Sequence, residues 1–274
     1  MAQTSRKVNL TQSVLKALDT LDCLASADQP LSAQEVAQRC DLSRPTAYRL
    51  LTTLLARDYV TTGQDSGRYQ IGAQVLSLSK SFLDRLDLPE LAKANLRELG
   101  QVSRETVHLA VLDGTEMLYV GKVDGSQSVR MHCTIGTRNP LYCTAMGKSV
   151  LAFLPNEKRT TLLDQITLTP RTPSTITDRT ALEEHLELVR ARGYAIDDME
   201  IEEGIRCVGA PIFDHTGRVI AALSTSGPVY RISVARLEEL SGAVVEASTA
   251  ISRKLGYMPG SPLAQEKRHK QGRR

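Results

Sequence analysis

The sequence predicts a two-domain α+β protein. A winged helix-turn-helix stands first, then a linker helix, then a domain built on a mainly antiparallel sheet. Three observations carry this. Two short helical segments are separated only by "CDLS" and followed at once by a β-hairpin pattern. From about residue 89 strands and helices mix, with hairpin turns prominent. The chain has 274 residues, enough for two domains. The expected bounds are a flexible N-terminus at 1–9, the winged helix-turn-helix at 10–72, the linker helix at 73–88, the second domain at 89–258 and a basic flexible tail at 259–274.

The first helix reads from "TQSVLKALDTLDCLAS", where Val14, Leu15, Leu18, Leu21 and Leu24 recur at helical spacing and Thr11 is the candidate cap. Ser32 and Glu35 have the spacing of a capping box at the start of the second. Ser43 is placed to cap the third, and Pro45 fits its first turn, where amides have no helical partner. Ala47, Leu50, Leu51 and Leu54 lie on one face of that helix and are expected inside. Its outer face is basic and hydroxylated, which suits the major groove of DNA. Ser43 and Thr46 reach phosphate or a base edge, and Tyr48 reaches phosphate or a thymine methyl. Arg44 and Arg49 each offer two hydrogen bonds to guanine, or a phosphate contact. Tyr59–Thr62 and Arg68–Ile71, around the turn "GQDSG", form the wing, with Arg68 suited to phosphate. The bland alternative is a plain helical bundle.

In the second domain "TVHLAVLDG" and "TEMLYVGKVDG" read as a hairpin and "SVRMHCTIG" as a third strand. "CTAMGKSVLAFLP" reads as a helix begun through small residues. "DRTALEEHLELVRAR" is helical, capped by Asp178 and ended by Gly193. "YAIDDMEI" and the hairpin "CVGAPIFDHTGRVIAALSTSG" complete the sheet. A last helix spans about 231–256, with Val234, Leu237, Leu240, Val244 and Val245 as its stripe.

Composition removes several classes. Hydrophobic residues are 41% and charged residues 24%, ordinary for a folded protein. The opening "MAQTSRKVNLTQSV" lacks a signal-peptide core, and no run reaches the ~18 apolar residues of a membrane helix. A cytoplasmic location with no membrane partner is expected. The net charge of +3 is uneven, because Lys267, Arg268, Lys270, Arg273 and Arg274 crowd the tail. That tail reads as a solvated end, with weak attraction to nucleic acid as the lesser option. The five cysteines are widely spaced with no CxxC, and no histidine pair has a metal spacing. His132 and Cys133 are adjacent, so a strand would send them to opposite faces. No metal and no cofactor are expected. The GxxxxGK and GxSxG patterns are absent.

The stretch "GIRCVGAPIFDHTGRVIAALSTSGP", residues 204–228, sets Cys207, Ser224 and Ser226 among small apolar residues. A nucleophile needs a base, and His215 in the hairpin turn is a strand length from Cys207. Binding fits better. Ser224 and Ser226 are two apart on a strand, so both face one side and offer two hydroxyls to one carboxylate. Cys207 then packs as a small polarizable wall. All three as plain core residues is the other option.

At this point the chain resembles a known family, the IclR family of bacterial transcription regulators. The carrying stretches are "LSRPTAYRLLTTLLARDYV", "YCTAMGKSVLAFLP", "RARGYAIDDMEIEEGIRCVGAPIFD" and "VIAALSTSGPVYRIS". The likeness covers about 10–258. It implies an effector-binding second domain similar to the GAF and PAS sensor fold, and dimers or tetramers on palindromic double-stranded operators. It also implies control by a small metabolite of carbon catabolism, often an organic acid. The implied effector pocket comprises Met131, Ala145, Met146, Asp197, Cys207, Ser224 and Ser226. Asp197 would accept from a ligand hydroxyl or water, or be protonated when ligand is bound. No catalysis is expected. The alternatives are a cysteine- or serine-dependent hydrolase with an accessory helical domain, and a sensing module that has lost DNA binding.

Overall fold

The structure is a computed structural model that describes residues 10–63, 67–83, 87–127 and 133–258. The chain divides into two compact units, Met1–Leu86 and Asp87–Arg274. Among the described residues no helix is long and apolar enough to cross a membrane.

The first unit holds α1 (Gln12–Ala25), β1 (Leu31–Ser32), α2 (Ala33–Arg39), α3 (Arg44–Leu55), β2 (Val60–Thr62), β3 (Arg68–Ile71) and α4 (Gln74–Leu83). The two-residue β1 has no sequence signature and was not expected. It pairs with β3, giving a small antiparallel sheet in the order β1-β3-β2. The expected capping box forms: Ser32 N donates to Glu35 Oε2 at 2.7 Å, and Glu35 N to Ser32 Oγ at 3.3 Å. Thr11 has cap geometry but makes no side-chain cap bond. Neither does Ser43, whose hydroxyl lies 2.7 Å from that of Thr46. Leu24, Leu31, Val36, Ala47, Leu51 and Val60 form the core. The tight turn between α2 and α3 puts Asp41 at φ 49°, a left-handed conformation that Asp tolerates. Gly72 closes the wing where a Cβ would stand 2.3 Å from Asp58 O. The expected stripe on α1 is only partly inside, for Val14 and Leu18 stay exposed.

The expected linker helix ends, within the described residues, at Leu83. Asp87 is extended and caps the next helix, its carboxylate accepting from Glu90 N at 3.3 Å.

The second unit holds α5 (Leu88–Ser103), β4 (Thr106–Asp113), β5 (Glu116–Val123), β6 (Arg138–Pro140), α6 (Ala145–Phe153), α7 (Asn156–Gln165), α8 (Arg179–Arg192), β7 (Ala195–Asp198), β8 (Ile205–Phe213), β9 (Val219–Pro228) and α9 (Val234–Lys254). Its sheet is antiparallel throughout, in the order β6-β5-β4-β9-β8-β7. Helices α5 and α9 pack together against one face, and α6, backed by α8, against the other. Asp178 caps α8 through Ala181 N at 2.8 Å, and Gly193 ends it at φ 85°.

Three expectations need correction here. The expected third strand is not seen in the described part of "SVRMHCTIG". Residues 128–132 lie outside the described residues, and Cys133–Gly136 bend into a turn with Gly136 at φ 93°. The edge strand is Arg138–Pro140, where Pro140 is tolerated because one side of the strand is unpaired. Helix α7 was missed because its buried residues, Leu162 and Leu163, are adjacent and make no stripe. Val234 begins α9 exposed instead of joining its stripe.

Candidate functional site

Two surfaces deserve construction from the residues upward, one in each unit. On α3 the sequence sends Ala47 and Leu51 into the core, with Leu50 and Leu54 half-buried beside them. The opposite face is then forced outward. Arg44, Tyr48 and Arg49 are exposed, as is Ser43 ahead of the helix, while Thr46 is half-buried. At 100° per residue Arg44 and Arg49 stand about 140° apart, with Tyr48, Thr52 and Pro45 between them. The two arginines therefore flank the exposed face and do not sit side by side. Arg44, Pro45 and Tyr48 share an open groove with Ser32, Ala33 and Gln34 at the start of α2 and with Gly67 and Tyr69 of the wing. Thr46 and Arg49 lie on the other flank, in a groove shared with α1. Arg68 is already engaged: its Nη1 donates to Pro30 O at 2.8 Å and pairs with Glu35 Oε2 at 3.1 Å.

In the second unit the register of four strands makes a wall. Asp197 lies opposite Cys207, and Cys207 opposite Ser226. Two residues along, Gly209, Ser224 and His108 stand in line. Strand alternation sends these side chains to the α6 face. Gly209 lets α6 come close: a Cβ there would stand 3.0 Å from Ala145 C and 3.1 Å from Met146 N. The result is a cavity of about 150 Å³ between the sheet and the first turn of α6. Ala145, Met146, Asp197, Cys207, Ser224 and Ser226 all line it. Met131 lies outside the described residues.

The cavity sets a helix N-terminus and two serine hydroxyls beside the carboxyl groups of Asp197 and Glu202. The first-turn amides of Ala145 and Met146 have no helical acceptor, and the N-terminal end of α6 carries partial positive charge. Thr144 caps the helix, accepting from Gly147 N at 3.1 Å and donating to Pro140 O at 2.8 Å. Asp197 Oδ1 accepts from Glu200 N at 2.7 Å and from Ile201 N at 3.4 Å, which ties down the loop after β7. Its Oδ2 is buried with no hydrogen-bond partner among the described residues. Burial pushes the Asp197 carboxyl up to about 7, with Lys148 opposing the rise and Glu200 adding to it. Burial also lifts the Cys207 thiol well above its ordinary value, and the Asp197 charge lifts it further.

Sequence reasoning missed several wall residues. His108 and Tyr119 meet edge to face at 5.2 Å between ring centres, and Thr144, Asn139 and Thr137 join them around the cavity. The signal for His108 was present, since it is out of phase with Val107 and Leu109 on β4. Behind the wall Lys148 of α6 is ion-paired with Glu200, which no spacing rule announced.

His108 does bring an imidazole to the cavity that Cys207 lines, which was not expected. Burial, and next the Lys122 charge, lower its pKa to about 4. The thiol and the imidazole are both driven toward their neutral forms, the reverse of an activated thiolate–imidazolium pair. His215 sits exposed at the tip of the β8–β9 hairpin. Among the described residues no group of three His, Cys, Asp or Glu is placed to hold a metal.

The chain is similar to known proteins over most of its length. The IclR helix-turn-helix domain model matches residues 13–63, and the bacterial transcriptional regulator IclR C-terminal model matches residues 80–253. The HTH-type transcriptional regulator KdgR of Escherichia coli is 36% identical over 256 residues, 93% of this chain and 97% of that protein. The acetate operon repressor of Salmonella typhimurium is 33% identical over 257 residues, 93% and 94% of the two chains. Among solved structures, the Agrobacterium tumefaciens repressor BlcR superposes with a TM-score of 0.77 at 32% identity, covering 90% of this chain and 98% of that one. The Thermotoga maritima IclR gives 0.61 at 38% identity, over 89% and 99%. The family and these relatives are transcriptional regulators and not enzymes. With its helix-turn-helix unit and its second unit both matched, the chain belongs to the IclR family of DNA-binding bacterial transcriptional regulators.

Proposed function

We propose that this regulator binds a palindromic operator as a homodimer or homotetramer in the cytoplasm, and that a small organic acid from carbon catabolism controls its operator affinity. The observation that carries the effector reading is the convergence of Ala145, Met146, Asp197, Cys207, Ser224 and Ser226 on one small cavity at a helix N-terminus. A carboxylate there meets the two serine hydroxyls and the N-terminal end of α6 as donors, and the raised Asp197 carboxyl accommodates it in its protonated form. On the DNA side Ser43, Arg44, Thr46, Tyr48 and Arg49 face the operator, and Arg68 contacts phosphate with the donors that Pro30 and Glu35 leave free. Self-association is supported by apolar residues left exposed in the single chain, Val14 and Leu18 on α1 and Leu76 and Leu78 on α4. The linker helix carries the coupling, and a coupling of about 1–3 kcal/mol changes operator affinity roughly 5- to 150-fold.

The test is a gel shift on the promoter beside the protein's own gene, with and without acids of two to eight carbons, alongside calorimetry. An acid that binds and alters the shift, and loses binding in Ser224→Ala/Ser226→Ala, supports the reading. Unaltered acid binding by that double variant removes the serines from the site.

A further inference from the structure

Within the cavity one side chain is left chemically incomplete. His108 is 2% exposed, and both its Nδ1 and its Nε2 are buried with no hydrogen-bond partner among the described residues. Leaving a buried polar group unpaired costs about 1–3 kcal/mol, so such groups are rare unless something else completes them. Tyr119 does not, because it meets the imidazole ring edge to face. What remains beside His108 is the cavity that it lines.

Register fixes what a ligand would put there. His108 stands directly opposite Ser224 on the neighbouring strand. Directly opposed side chains are about 5 Å apart at Cβ. A ligand whose carboxylate touches Ser224 therefore has its adjacent carbon within reach of His108. We propose that His108 is a specificity-determining residue: it takes the hydroxyl of a small 2-hydroxy acid whose carboxylate lies against Ser224, Ser226 and the first turn of α6. This rests on the cavity being the effector site.

Two arguments give the choice of hydroxyl over carbonyl. Burial keeps the imidazole neutral at pH 7, so it has one N–H donor and one acceptor nitrogen. A hydroxyl both donates and accepts, so it can complete the acceptor nitrogen. An oxo group accepts only, so it pairs only with the tautomer whose N–H faces it, whereas a hydroxyl pairs with either. Size sets the scale, since a cavity near 150 Å³ holds about six non-hydrogen atoms, the count of a benzene ring. Lactate and pyruvate each have that size and differ only at the carbon in question.

The experiment is calorimetry on the full chain with lactate against pyruvate, and with 2-hydroxybutyrate against 2-oxobutyrate. Wild type is expected to favour each hydroxy acid severalfold, because the oxo acid binds only one of the two imidazole tautomers. His108→Leu should erase the preference, and His108→Gln, which keeps a donor and an acceptor, should retain part of it. The thermal melt of each variant establishes that it is folded. Equal affinities in wild type, or a preference that survives in His108→Leu, would overturn the role of His108 while leaving the cavity as an acid site. If none of the four acids binds wild type this inference fails, and if no other acid of the wider panel binds either, the effector reading fails with it.

Discussion

Lys148 of α6 and Glu200 of the loop after β7 form an ion pair sealed from water, Lys148 wholly so and Glu200 5% exposed. Glu200 keeps one carboxylate oxygen without a partner among the described residues, and burial pushes its pKa up even against the lysine. Removing one charge leaves the other stranded, a cost of about 3–5 kcal/mol. Lys148→Met should therefore lower urea stability by that order. Lys148→Met/Glu200→Gln should lower it less than Lys148→Met alone, and an additive loss would deny the pairing.

Asp197 gives stability a pH dependence of defined sign. Its carboxyl is raised to about 7 in the fold, chiefly by burial. Below pH 4 the carboxyl is protonated both folded and unfolded, and it has no effect. Between pH 4 and 7 the unfolded chain has released this proton and the folded one has not, so stability falls as pH rises. Above 7 the loss is complete. Asp197→Asn keeps an oxygen for the Glu200 and Ile201 amides and cannot ionise. Relative to wild type it should gain stability from pH 4 to 7 and stay a few kcal/mol above it at pH 8. A constant difference across that range would contradict the assignment.

His108 acts in the opposite sense. Its pKa is lowered to about 4, so from pH 4 to 6.5 the unfolded chain binds the extra proton and stability rises with pH. His108→Leu should flatten that contribution, and matched denaturation series for the two variants should diverge from wild type in opposite directions.

DNA affinity should divide along the surface of α3. Arg44→Ala/Arg49→Ala in a folded chain is expected to abolish the operator complex in a gel shift. Arg68→Ala should weaken it less, because that guanidinium is already shared between Pro30 and Glu35. Each lost phosphate contact lowers the salt slope of log K by about 1, which separates backbone from base contacts. A double arginine variant that binds as wild type does would move the interface off this helix.

Gly147 offers a packing test that leaves charge alone. A Cβ there would stand 2.3 Å from Leu141 O, a backbone atom that cannot step aside cheaply. Gly147→Ala should cost about 1–3 kcal/mol in thermal or urea unfolding. An unchanged melt would mean that the start of α6 is looser than its contacts imply.

Local rules carried the sequence reading a long way. The Ser32–Glu35 capping box, the Asp178 cap and the Gly193 stop are contained within a few residues, and each formed. The serines were legible for the same reason, since a period of two alone puts Ser224 and Ser226 on one face. What escaped depends on partners distant in sequence. Lys148 and Glu200 are 52 residues apart and meet only when α6 lies on the sheet. Strand β1 exists only because β3 passes beside it. Helix α7 buries two adjacent leucines and leaves no period to detect. The place of His108 needed the β4–β9 register, which no local pattern supplies.

Strand β9, which carries the serines, is laddered to β4 on one side and β8 on the other. Strand β6, which contains Asn139 and follows Thr137, is three residues long and pairs among the described residues with β5 alone. The cavity is thus laddered on both sides at one wall and on one side at the other. Amide exchange should be slowest at Ser224 and Ser226 and fastest at the rim around residues 137–139. A molecule would enter and leave past that rim, and mutations there would retune which molecule fits without disturbing the wall at β9.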